Sequence, residues 1–266
     1  MFGFKFNGVH SSSFGLVMQS KNRPILPEPK IIIEDIPARN GVYDFSESNP
    51  YGHIMYKKRE VSVDCKFVNK SIVDLRKNAR KIAAWLALSE GKLIFDDEPC
   101  VFYLARVSNR IDLEQQIAKI GSFTIVFTCR PFAYSVVTSG EIPSYGDGLY
   151  YDDHAFYGGN NVFSVTGYKT FNVVNYGTYV KPIIILDGTF DNVVITYGSK
   201  SLQYLQQGSG VLSIDCEKNR VTKDGLNVIN YISGEFFELV SGDNIMEISG
   251  TNLDCNLYFV FNYLYF

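Results

Sequence analysis

The chain has 266 residues, 15% of them aromatic, with 25 basic against 28 acidic side chains and a net charge of −3. A chain of this length buries roughly three quarters of its unfolded surface, so its core requires no disulfide or metal. The charge balance argues against a nucleic-acid-binding surface, and no apolar run reaches the length of a membrane span.

Phe2, Phe4 and Phe6 alternate with Gly3 and Lys5, which predicts an opening strand rather than the charged head and apolar block of a signal peptide. A second strand-like run is Ile31 to Ile33. A third is clearer: Val61, Val63, Cys65 and Phe67 alternate with Ser62, Asp64 and Lys66, the period of two that leaves one sheet face buried. The connection between these two runs is about twenty residues long and has no period of its own, a length that is usually functional or disordered. It carries Val42, Tyr43, Phe45, Tyr51, Ile54, Met55 and Tyr56, too much apolar surface for a solvated linker. It reads as an arm, residues 37–56, that docks on its own domain or on a neighbouring subunit.

One helix is predicted over 72–89. Ser71 and Asp74 form a capping-box-like pair. Ile72, Leu75, Ala79, Ile82, Ala83 and Leu86 make an apolar stripe, and Gly91 ends it. Arg76, Lys77, Arg80 and Lys81 form a basic flank, either a solvated face or an inter-subunit salt-bridge surface. Leu93 and Phe95 lead into a turn at Asp96–Pro99, and Val101, Tyr103, Ala105 and Val107 alternate after it. Phe123, Ile125, Phe127 and Cys129 repeat the pattern. A first β domain with one helix is therefore expected over 1–133, and a second domain over 134–266.

In the second domain turn signals recur about every eight to twelve residues, as in an antiparallel β-sandwich. They fall at Gly167, Asp187-Gly188, Gly198, Gly208–Gly210, Lys218-Asn219, Asp224-Gly225, Ser233-Gly234, Gly242-Asp243 and Ser249-Gly250. The final run from Leu257 to Phe266 is apolar on both faces except at Asn262 and needs cover on both sides.

Catalytic chemistry is not apparent. Asp152, Asp153 and His154 are the best acid–base or metal candidate, but neighbours in a glycine-rich loop rarely converge on one point. The pair Asp96 and Asp97 is explained by turn chemistry. No Gly-x-Ser-x-Gly and no phosphate loop is present. No cofactor is expected. The five cysteines are widely spaced, without Cys-x-x-Cys, and fit synthesis in a reducing cytoplasm. Cys65, Cys129 and Cys255 read as small buried residues. Tyr145, Tyr150, Tyr151 and Tyr157 suit stacking on sugar rings, or packing at a domain junction or subunit contact.

Ordered blocks along the chain carry a resemblance. They are Ile36–Asp44, Tyr56–Val61, Gly91–Pro99, Tyr103–Val107, Phe127–Tyr134, Asn175–Gly177 with Lys181–Gly188, Leu212–Glu217, Asp224–Asn227, Gly234–Leu239 and Gly242–Ile245. Together they resemble the distal tail protein (Dit) family of siphophages over nearly the whole chain. Ala38 departs from the glycine expected in that loop. The resemblance implies a mainly β fold, with an N-terminal ring-forming domain and a C-terminal galectin-like sandwich. It implies a homo-hexameric ring at the virion tail tip, made in the bacterial host cytoplasm. That ring would join the tail tube protein to a tail-associated lysin or tail-fibre protein and carry receptor-binding proteins. DNA would pass through its channel without being bound, and no membrane is involved. The family places the arm against the neighbouring protomer, with Pro37, Arg39, Tyr43, Phe45 and Tyr51 as the expected contacts. A carbohydrate-binding adhesin acting through the C-terminal sandwich is the alternative, and a hydrolase lacks the residues it needs.

Overall fold

The computed structural model describes residues 3–38, 40–67, 72–109, 122–140 and 161–266, apart from the side chains of 72–77. The chain divides into two compact units, Met1–Tyr134 with Phe266, and Ser135–Tyr265. Both are built from antiparallel strands, and the fold is mainly β.

The first unit runs β1 (Phe4–Phe6), β2 (Val9–His10), β3 (Leu16–Asn22), β4 (Ile33–Asp35), β5 (Val42–Asp44), β6 (Arg59–Phe67), α1 (Ile72–Leu86), β7 (Gly91–Phe95), β8 (Glu98–Val107) and β9 (Ser122–Cys129). One sheet has the order β2-β1-β7-β8-β9-β6-β3. The alternation in β6 and β9 sets which face is buried. Val61 lies opposite Phe127, Val63 opposite Ile125 and Cys65 opposite Phe123, and all six are buried. Cross-strand apolar pairs of this kind are the stabilising unit of a sheet. A short 3-10 turn, Ser11–Phe14, joins the two edge strands β2 and β3.

Helix α1 covers one part of this core. Among its described side chains, Ile82, Trp85 and Leu86 are buried. Trp85 donates its indole N–H to the Phe6 carbonyl at 2.9 Å, and its ring stacks on Phe14 and Phe4 at 4.7 and 5.7 Å. Here the expected stripe is corrected. Ala83 is exposed and Trp85 takes the buried place, because the large ring fills the space between Phe4, Phe6 and Phe14. The helix also ends at Leu86, three residues before the expected Ser89. Ser71 and the Asp74 side chain lie outside the described residues.

A bridging strand, β10 (Ala133–Thr138), crosses the division between the units. The second unit then contains β11 (Val162–Val165), β12 (Lys169–Asn175), β13 (Ile183–Tyr197), β14 (Lys200–Tyr204) and β15 (Gly208–Asp215). It continues with β16 (Arg220–Lys223), β17 (Leu226–Asn227), β18 (Ile232–Gly234), β19 (Gly242–Val260) and β20 (Asn262–Tyr265). Two long strands, β13 and β19, pair with each other and lie at the centre of one nine-stranded sheet. One half of each lies in the order β11-β19-β13-β15-β16-β17. Their other halves carry β12 on β19, and β14 with β18 on β13.

Several expected turns are therefore bends inside strands. Gly188 lies within β13 at φ 144°, and a Cβ there would meet the Asp254 carbonyl at 2.3 Å. Gly250 lies within β19, where a Cβ would sit 2.9 Å from the Asp191 carbonyl. These glycines let two long strands approach closely where the pairing slips register between Thr189 and Val194. True turns do form at Gly198, Asn219 and Asp224-Gly225. Asp224 and Gly225 both have positive φ, the pattern of a two-residue hairpin. Leu257, Phe259, Phe261 and Tyr263 are buried in this unit.

Buried polar groups hold the edge of this sandwich. Asn244 is 1% exposed and uses its whole amide. Its Oδ1 accepts from the Tyr197 hydroxyl at 2.6 Å and the Val240 N–H at 2.9 Å. Its Nδ2 donates to the carbonyls of Val173, Val240 and Gly242 at 3.0–3.1 Å. Buried amides are tolerated when satisfied in this way.

Candidate assembly interface

Residues 28–57 leave the first sheet and return as a ribbon. At its base, Lys30 N–H donates to the Met55 carbonyl at 2.7 Å and Lys57 N–H to the Glu28 carbonyl at 2.8 Å. The same two residues pair their side chains, Lys57 Nζ to Glu28 at 2.6 Å. Further out, β4 and β5 form a two-stranded sheet of their own, Ile33 opposite Asp44, Glu34 opposite Tyr43 and Asp35 opposite Val42. Ile33 does open a strand, as the isoleucine run suggests, but the connection read as having no period of its own supplies that strand's partner, β5. Ile33 finds its partner, Asp44, within the arm itself, because the chain reverses between Ile36 and Gly41.

That reversal is strained at one position. Ala38 has φ 64°, next to Pro37. Proline followed by a positive φ is the pattern of a type II turn, which prefers glycine at the second place. A left-handed alanine costs about 1 kcal/mol, so this turn keeps its shape against a local preference. Ser46, buried on the return, accepts from Ile32 N–H at 2.9 Å, while its own N–H donates to Asp44 at 2.8 Å. The Ser46 hydroxyl and N–H hold the Asp44 carboxyl below its ordinary range. Asn49 organises the last bend, accepting from Tyr51 N–H and donating to the His53 carbonyl.

Both faces of the ribbon carry apolar side chains beside acidic ones. Ile33 and Val42 share one face with Asp35 and Asp44. Ile32, Tyr43 and Phe45 share the other with Glu34, and the Tyr43 and Phe45 rings stack at 6.0 Å. Ile31, Ile32, Ile33 and Val42 are each more than half exposed, and Ile36, Tyr43, Phe45 and Tyr51 are exposed as well. An isolated two-stranded hairpin is marginal in water, and one with apolar residues on both faces has nothing of its own to bury them against. Exposed clusters of this kind mark protein–protein contacts.

Of the expected contact residues, Pro37, Tyr43, Phe45 and Tyr51 lie exposed on this ribbon. Arg39 lies outside the described residues, as do Tyr145, Tyr150, Tyr151 and Tyr157 and the Asp152–His154 group. Ile31, Ile32, Ile33 and Ile36 are additions that sequence reasoning missed, since an isoleucine run reads as sheet interior. Among the described residues no group of His, Cys, Asp and Glu is arranged to hold a metal, and no helix is long and apolar enough to cross a membrane.

The root of the ribbon is fastened by charge. Arg59, the first residue of β6, is 3% exposed. Its Nη1 donates to the Pro24 carbonyl at 3.2 Å, on the outgoing leg. Its guanidinium lies 5.5 Å from the Tyr103 ring centre, and Arg23 lies 5.8 Å from the same ring. Burial lowers the Arg59 pKa from its usual value. The turn read only as hairpin chemistry does more. Asp96 pairs with His10 at 3.0 Å, Asp97 with Lys21, and Glu98 with Arg23. Three consecutive acids thus tie the β7–β8 turn to the segment that precedes the ribbon.

Residues 10–129 match the family described as phage tail protein RIFT-related domain, and residues 175–263 match the siphovirus-type tail component, C-terminal domain. No curated protein matches the chain in sequence. Among solved structures, the Dit protein (gp 19.1) of phage SPP1 is similar over 100% of both chains, with a TM-score of 0.69 and 15% identity. That protein is described as a paradigm of the hub adsorption apparatus in phages infecting Gram-positive hosts. With both tail-component domains in order on one mainly β chain, the protein belongs to the Dit family of siphophage tail proteins and has a structural role at the distal tail.

Proposed function

We propose that this chain is the subunit of a six-fold hub ring at the tail tip. The ring joins the tail tube protein to the tail-associated lysin or tail-fibre protein, carries receptor-binding proteins, and leaves a channel for the genome. The observation that carries this reading is the ribbon, which exposes large apolar side chains on both faces in the single chain. A contact made by an arm of one copy on a different surface of the next is head-to-tail, and such contacts close into rings when the rotation permits. Family membership supplies the setting.

Negative-stain electron microscopy of the purified protein, with mass by light scattering, tests it. Six-fold rings are expected, and deletion of residues 38–54 should leave folded monomers. The ring reading fails if the truncated chain assembles into the same particle. Gold-labelled antibody should mark the tail tip of the virion, and labelling elsewhere would remove the hub assignment.

A further inference from the structure

Arg59 holds an inward position of β6. It is in phase with Val61, Val63 and Cys65 and lies opposite the buried Cys129. A cation in an apolar row is costly unless its donors are used and its charge is answered. One donor is used, Nη1 on the Pro24 carbonyl. Nε and Nη2 are buried and have no hydrogen-bond partner among the described residues. These two nitrogens lie on one edge of the planar guanidinium, where their N–H bonds converge on a single acceptor or clasp a planar one.

Ion pairing passes this guanidinium by. Lys21 pairs with Asp97 and Arg23 with Glu98, while Arg59, buried more deeply than either, has no ion pair among the described residues. Glu98 is near enough to act on Arg59 through its charge, but its hydrogen bond goes to Arg23. Arg23 and Arg59 lie 5.8 and 5.5 Å from the centre of the same Tyr103 ring, so the two cations add to one local positive field. Tyr103 and Cys129 do not answer it, since burial raises both and keeps them neutral.

We infer that the Nε–Nη2 edge of Arg59 binds a small inorganic monoanion of chloride size at the root of the ribbon. One negative charge matches the one unpaired cation, and a side chain 3% exposed suits a compact ion better than a bulky one. The bound ion holds the guanidinium in place against Pro24 and so stiffens the outgoing leg of the ribbon. This site stands whether or not the hub reading does.

Thermal melting of the full-length chain, followed by Trp85 fluorescence, tests it in sodium chloride against the sodium salt of a bulky organic sulfonate. Equal ionic strength makes screening the same in both. Chloride should raise the midpoint saturably, by about 4 °C at ten times its Kd, and the sulfonate should not. Line broadening of the chloride-35 NMR signal on the same protein reads binding without any variant. Arg59→Met should remove both effects. Arg23→Gln releases Glu98 to the Arg59 edge and should weaken chloride binding. Glu98→Gln removes the competing carboxylate and should tighten it, a gain that a misfolded variant cannot show. Midpoints that follow ionic strength alone, whichever anion is present, mean that water completes the edge and overturn the inference. Chloride broadening that a folded Arg59→Met chain retains, or that Glu98→Gln leaves unchanged, overturns it as well.

Discussion

Ile32 and Phe45 lie opposite each other on one ribbon face, with Phe45 N–H donating to the Ile32 carbonyl at 2.8 Å. They are 54% and 43% exposed. Fully burying such a side chain contributes about 1.5–3 kcal/mol, so covering the exposed half of each yields about 1 kcal/mol. The double change Ile32→Ser and Phe45→Ser should therefore cost about 2 kcal/mol per contact, about thirtyfold in association. The backbone bond between the two residues survives, and exposed substitutions usually move fold stability by less than about 0.5 kcal/mol. The paired assay is sedimentation velocity for association and thermal melting for the fold. Weakened association with an unchanged melting temperature is expected. A lowered melting temperature with unchanged association would refute the reasoning, because these side chains would then serve their own unit rather than a partner.

Acid should loosen the first unit. Burial raises the Asp97 pKa, but the hydrogen bond and charge of Lys21 outweigh it, so this carboxyl titrates below its ordinary range. The hydroxyls of Ser20 and Thr124 lower Asp64, and Arg130 lowers Glu90. Depressed carboxylates stabilise the fold fully above the unfolded value near about pH 4, and that contribution is lost as pH falls through the folded values. The single tryptophan, Trp85, reports this unit, so its fluorescence melting midpoint should drop between about pH 5 and 3; a flat midpoint would contradict it. Asn244→Leu should destabilise the second unit by about 2–4 kcal/mol, because it removes all five hydrogen bonds of a buried amide, and calorimetry reads the loss. A native thiol reagent at mildly alkaline pH should react first with Cys100, which is partly exposed. Burial pushes Cys65 and Cys129 up to about 12 and Cys216 to about 11, so they should react only on unfolding; fast labelling of all five would show that these strands open.

Much of the first sheet was legible because β6 and β9 obey a strict period of two, from Val61 to Phe67 and from Phe123 to Cys129. The helix was legible in outline. Its buried face was not, since alanine fits either side and only the pocket formed by Phe4, Phe6 and Phe14 decides for Trp85 over Ala83. The arm was legible as apolar excess, but its internal pairing depends on a turn at Ala38 that local preference disfavours. The ion pairs of Asp96, Asp97 and Glu98 join residues more than seventy positions apart, so no local pattern contains them. Asp187-Gly188 and Ser249-Gly250 carry turn composition, and only the close approach of two long strands converts them into bends.

The pairing of β13 with β19, from Ile183 and Val260 to Tyr197 and Met246, has a mechanical consequence. At one end these two strands are flanked by β15 and β11, and at the other by β14 and β12. Load applied to any of those neighbours therefore reaches the same pair of strands. The second unit should yield as one cooperative sheet rather than as two halves that part independently.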